Sequence, residues 1–136
     1  MLTPLQLFQT MRRAGFPPVI AVTMTAIALR ESSGNPNAFN GNTATGDRSY
    51  GLLQINMLSP QVAALLIKNI PAVAADEHAL LDPDVNAQAG FLLWGGRNSN
   101  LEMAWYINHD GTAYKTRYES FLPAAQAAAL QAAVIL

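Results

Sequence analysis

Glu31 follows a mostly apolar run, Pro17 to Leu29, and is followed at once by small and polar residues from Ser32 to Asn37. A carboxyl group in that position meets two effects of the same sign. Apolar surroundings disfavour its ionised form, and so does the negative end of a helix dipole. Both favour a protonated acid near neutral pH, the state a general acid needs. The position alone also fits a surface glutamate paired with Arg30. Downstream, Ser49-Tyr50-Gly51-Leu52-Leu53-Gln54-Ile55-Asn56 combines a glycine for close backbone approach with the carboxamides of Gln54 and Asn56. Two residues apart on an extended strand, they would share a face. They would then offer donors and acceptors to the hydroxyl and acetamido groups of a sugar. The same string also fits an ordinary buried strand.

Other chemistries find little support. The chain has no cysteine, which removes disulfides, thiolate nucleophiles and cysteine-type zinc sites together. His78 and His109 are far apart and neither has a second ligand at metal spacing, so no metal and no cofactor are expected. No glycine-rich phosphate loop appears. Eight basic residues against nine acidic ones give a net charge of −1, which argues against a nucleic-acid partner. Trp94, Trp105, Tyr114 and Tyr118 fall at helical spacing and read first as core.

The elements that must position Glu31 and the amides follow from local signals. Thr3, Pro4 and Gln6 open a first helix with a capping box and a proline at the first helical position; Gly15 ends it. A second helix runs from about Pro18 to Ser33 and is stopped by Gly34, Asn35 and Pro36. Its apolar character on most faces puts it at the centre of the fold. The run is too short to cross a bilayer, so no membrane insertion is expected. It also lacks the cleavage site of a signal peptide. Without an export signal, the protein is expected to reach an extracellular target by another route. The polar, glycine- and asparagine-rich connection from Gly34 to Ser49 is long enough to be functional, with a small hairpin expected around Asn40-Gly41. Further helices are expected from Ser59-Pro60, over Ala72 to Leu81, from Asp82-Pro83 to Gly95-Gly96, from Asn100, from Thr112 and from Pro123. The chain of 136 residues reads as one mainly α domain, residues 1–136, with at most a small β element in the polar loop.

Three segments carry a resemblance. Glu31-Ser32-Ser33-Gly34-Asn35-Pro36-Asn37-Ala38 resembles the E-S-x-x-N-P-x-A signature of soluble-lytic-transglycosylase-like domains. Ser49-Tyr50-Gly51-Leu52-Leu53-Gln54 resembles their S-x-G-L-M-Q signature, and the stretch from Asp82 to Trp94 looks like their third segment, with Asn86 and Gly90 four apart. Tyr50 to Asn56 is also similar to the Y-G-I-L-Q-I-N string of animal c-type lysozymes, which share the fold core. The short virion- or phage-encoded members are the most similar in character.

The resemblance implies a lysozyme-like fold with the polar loop or hairpin beside an active-site cleft. It implies cleavage of the β-1,4 bond between N-acetylmuramic acid and N-acetylglucosamine in peptidoglycan. Glu31 would be general acid and then base, Ser49 would lie near the sugar, and Gln54 would hold the glycan. Tyr50, Asn56, Tyr106 and Asn108 complete the expected substrate contacts. Tyr106 and Asn108 depart from the family, which has an adjacent Y-N pair where this chain has one residue between them. The c-type string has aspartate directly before its tyrosine; here Ser49 stands there, and Asp47 lies two residues earlier. The lost aspartate favours a lytic transglycosylase, in which the muramic 6-hydroxyl attacks and leaves a 1,6-anhydro end. The alternatives are a hydrolytic lysozyme using Glu31 with Asp47, and a non-catalytic glycan-binding or structural module of a phage tail. The expected partners are peptidoglycan glycan strands and other virion or tail proteins, and the expected place of action is the bacterial cell wall, from a virion or after release at lysis.

Overall fold

Thr3 and Gln6 cap each other's backbone at the start of helix α1 (Pro4–Ala14): Thr3 N donates to Gln6 Oε1 at 2.9 Å and Gln6 N to Thr3 Oγ1 at 3.2 Å. Gly15, at φ 114°, ends the helix in the left-handed conformation that glycine tolerates. A computed structural model of the chain describes residues 1–95 and 118–135. Helix α2 (Pro18–Ser32) follows after the three residues Gly15, Phe16 and Pro17 and is the most buried element, with Ala21, Met24, Ala26, Ile27 and Ala28 fully enclosed. Its hydroxyls bond back to the preceding turn, Thr25 to Ala21 O at 2.7 Å and Ser32 to Ala28 O at 2.9 Å. The helix therefore enters the core without leaving those polar atoms unpaired.

After α2 come three two-residue strands, β1 (Phe39–Asn40), β2 (Ser49–Tyr50) and β3 (Ile55–Asn56), then α3 (Pro60–Asn69), α4 (Pro71–Ala75), a 3-10 turn over Glu77–Leu81, and α5 (Pro83–Gly95). The last described helix is α6 (Leu122–Ile135). Helix α1 packs on α2, α5 and α6, and α2 also packs on α6. Phe16, in the turn between α1 and α2, meets Phe91 edge-on at 5.4 Å and Trp94 at 5.7 Å, which joins that turn to α5. Enclosed side chains such as Leu7, Met11, Met24, Ile27, Leu53, Leu66 and Leu80 each stabilise the fold by roughly 1.5–3 kcal/mol through loss of apolar surface to water. Tyr118 is buried with them, as its helical spacing implies. Trp105, Tyr114 and the helices expected from Asn100 and Thr112 lie outside the described residues. No described helix is long and apolar enough to cross a membrane.

The strands form one antiparallel sheet in the order β1-β2-β3, with Phe39 opposite Tyr50, Asn40 opposite Ser49, and Ser49 opposite Asn56. The architecture is mainly helical with this small sheet, as expected, but three local expectations are corrected. Asn40-Gly41 is not the hairpin tip. Asn40 belongs to β1, and its side-chain oxygen accepts from Asn42 N at 3.1 Å. That bond starts a wider loop with a 3-10 turn at Thr43–Thr45. The single helix expected over Ala72 to Leu81 is divided at Asp76, whose carboxylate accepts from His78 N at 3.0 Å and starts the 3-10 turn afresh. The third correction concerns Gln54 and bears on the site itself.

Candidate active site

Glu31 lies in the last turn of α2, at the negative end of the most enclosed helix in the fold. It is half-buried and takes part in a polar or electrostatic interaction. The chain leaves it through Ser33 and Gly34, both at positive φ (54° and 79°). Glycine is needed at 34 because an added Cβ would come within 2.7 Å of Leu2 O. Leu2 N in turn donates to Gly34 O at 2.9 Å, so the turn behind Glu31 is pinned to the start of α1.

The segment that leaves Glu31 is then fastened to the turn containing Gln54. Ala38 O accepts from Gly51 N at 2.7 Å and from Gln54 Nε2 at 3.2 Å. Gln54 Nε2 also reaches Gly51 O at 3.1 Å. Gln54 adopts φ 51° and closes the tight turn between β2 and β3. It is not part of an extended strand, so strand alternation does not align its side chain with that of Asn56. The two amides do different work. Asn56 Oδ1 accepts from Arg48 N at 3.1 Å and Leu58 N at 3.0 Å, while its Nδ2 donates to Gly46 O at 2.8 Å. The bonds with Arg48 and Gly46 hold the loop before β2, and the bond from Leu58 shapes the turn after β3. Of these two amides, it is the carbonyl oxygen of Gln54 that accepts no hydrogen bond from the described residues.

Ser49 is buried in β2, between Asn40 and Asn56. Asp47 is half-buried in the preceding loop, where its carboxylate accepts from Thr45 Oγ1 at 2.8 Å and its amide donates to Asn42 O at 3.0 Å. Tyr50 is enclosed between Phe39 and His78, with ring centroids 5.0 and 5.5 Å away, and its hydroxyl bonds to Glu77. Arg48 Nε meets the same carboxylate at 2.7 Å. Tyr106 and Asn108 lie outside the described residues.

The Tyr50–Glu77–Arg48 group sets a pH signature. Burial, reinforced by the hydrogen bond and charge of Glu77, pushes the Tyr50 phenol from 10.0 up to about 12. At Glu77, partial desolvation acts to raise the pKa, but the bonds from Tyr50 and Arg48 and the Arg48 charge outweigh it and hold the carboxyl below 4.5. The raised phenol contributes stability that is complete below pH 10 and is lost as pH climbs toward about 12. The depressed carboxyl contributes stability present above pH 4.5 and lost as pH falls through its lowered value. These two groups therefore add no pH dependence to the melting temperature between those limits. Tyr50→Phe should show a shallower alkaline decline; an unchanged alkaline limb would locate its origin in another group.

Two residues outside the expected set organise this region. Asn86 is fully enclosed on α5. Its Nδ2 donates to Tyr50 O at 2.8 Å and Leu80 O at 2.9 Å, and its Oδ1 accepts from Leu53 N at 2.9 Å. It thereby clamps both sides of the Gly51–Gln54 turn against α5. Gly51 must be glycine for this, since its φ is 73° and a Cβ would lie 2.5 Å from Asn86 Nδ2. A signal for Asn86 was present: a carboxamide on the stripe of Asn86, Ala89 and Leu93, at core-facing helical spacing. Glu77 gave none, because it sits in a short charged turn.

A comparison with protein-family models matches residues 8–100 to the model described as a lysozyme-like domain. That span holds Glu31, Gln54 and Asn86 and stops before Tyr106. Comparisons with curated proteins and with solved structures return no match.

Proposed function

The chain belongs to the lysozyme-like domain family, and from that premise we propose that it is a lytic transglycosylase with Glu31 as its single catalytic carboxyl group. Membership itself points to a glycosidase acting on peptidoglycan. The finer reading is supported by one observation. Ser49, not a carboxylate, stands directly before Tyr50 in β2, and the acid next to it in sequence, Asp47, accepts a hydrogen bond from Thr45 in its own loop.

Glycosidases that use water or a covalent intermediate employ two carboxyl groups. With one, the substrate must supply the nucleophile. Glu31 gives its proton to the glycosidic oxygen as the bond from the muramic C1 to that oxygen breaks, leaving an oxocarbenium-like sugar. The Glu31 carboxylate then takes the proton of the muramic 6-hydroxyl as that oxygen bonds to C1. A 1,6-anhydro end results, no water is consumed, and Glu31 is again protonated. The Gln54 carbonyl oxygen would accept a hydrogen bond from a sugar hydroxyl or acetamido N–H. Ser49, Tyr50 and Asn56 would hold the hairpin wall of the groove, and Tyr106 and Asn108 would complete it.

Mass spectrometry of muropeptides released from purified cell walls tests this. Anhydro ends, one water lighter than reducing ends, are expected, with Asp47→Asn turning over near the wild-type rate. Reducing ends together with loss of activity in Asp47→Asn would instead support a hydrolase using Glu31 and Asp47.

A further inference from the structure

Strand β1 is an edge strand of the sheet, and Phe39 stands opposite Tyr50 in the β1–β2 register. Directly opposed residues share a face, and strand neighbours face opposite ways. Phe39 and Tyr50 therefore occupy one face of the hairpin, and Asn40 and Ser49 the other. On the first face three rings follow one another. Phe39 lies 5.0 Å from Tyr50 at 46°, and Tyr50 lies 5.5 Å from His78 at 76°. The middle ring is buried, whereas Phe39 is 56% exposed and His78 is also open to water.

Isolated exposed apolar residues are ordinary. Phe39 differs in how it is held. Its ring rests on Tyr50, whose phenol is fixed by Glu77. It also lies over Gly41, where an added methyl group would come within 2.6 Å of the ring. A ring so restrained has less freedom to lose when a ligand settles on it. The chain around it, from Gly34 to Gly46, carries no charged residue and is rich in asparagine and threonine. A bare ring carried on an uncharged, amide-rich segment suits a neutral pyranose, whose C–H face packs on the ring while its hydroxyls meet amides.

We propose that Phe39 is a sugar-stacking platform on the face of the hairpin opposite Ser49, a second contact with the glycan strand outside the catalytic groove. This rests on the reading of the chain as a peptidoglycan-cleaving enzyme. The platform binds and takes no part in bond breaking.

The test compares wild type with Phe39→Ala and Phe39→Trp in co-sedimentation with intact peptidoglycan and with glycan strands freed of peptide. Phe39→Ala is expected to bind both about three- to ten-fold more weakly, the range a contact of this class supports. Phe39→Trp should restore binding, and cleavage of a short soluble oligosaccharide should be unchanged. Equal binding by wild type and Phe39→Ala overturns the proposal. So does a loss confined to peptide-bearing wall, which would assign the ring to the peptide. A matching loss on the short substrate also overturns it, by putting Phe39 in the groove. If melting curves show that Phe39→Ala is not folded, Phe39→Leu keeps an apolar group on Tyr50 while removing the flat ring, and its binding decides. Cleavage by the wild type reports on the catalytic reading separately: a chain that binds through Phe39 and cleaves nothing would defeat only that reading.

Discussion

Glu31→Gln is expected to lower the clearing of purified cell walls by at least about a hundred-fold, the lower end of what a positioned general acid contributes. Glutamine keeps the shape and the hydrogen-bonding reach of the side chain. It has no proton of suitable acidity to give, so the leaving oxygen would depart as an alkoxide. The replacement should barely alter the fold, because Glu31 sits in the exit turn of α2 and not among the enclosed residues Met24, Ile27 and Ala28. An unchanged melting temperature and retained binding to the wall would therefore accompany the loss of turbidity clearing. Equal clearing by both proteins would remove Glu31 from the mechanism. Absence of clearing by either would favour a non-catalytic glycan-binding module.

Asn86→Leu is expected to destabilise the protein by roughly 3–5 kcal/mol, although leucine is close to asparagine in size. The carboxamide satisfies Leu53 N–H and the carbonyls of Tyr50 and Leu80 in a site with no access to water. An orphaned buried group costs about 1–3 kcal/mol, and an apolar side chain leaves all three without this partner. Against a total stability of about 5–15 kcal/mol, that is a large share. The melting temperature should fall on the order of 10 °C. Turnover measured well below that new midpoint should also drop, because the clamp holds the turn that bears Gln54. A shift in the denaturant midpoint worth less than about 1 kcal/mol would refute the clamp.

The two variants also show what was legible in the sequence. The helices could be read because their ends are specified locally. Thr3 with Gln6, Ser59 before Pro60, and Asp82 before Pro83 each cap a helix with partners a few residues away. Glu31 could be read for the same reason, since an apolar run that stops at a charged residue marks both a buried helix and its exit. The presence of a hairpin in the polar loop could be read as well, but its tip and its turn at Gln54 could not. Its shape depends on side-chain-to-backbone bonds across long separations, Asn86 to Tyr50, Gln54 to Ala38 and Asn56 to Gly46, and single-residue patterns do not encode them. Gln54 adds a second obstacle. A glutamine at positive φ gives no hint of a turn, so the string from Tyr50 to Asn56 reads as a strand.

The bond from Leu2 to Gly34 has a practical bearing on handling the molecule. The second residue of the chain is a strut beneath the turn that follows the acid. A truncation that removed Leu2 would take that strut away and release the turn at Gly34. Any shortening of this end therefore has to leave Leu2 in place if the turn behind Glu31 is to keep its support.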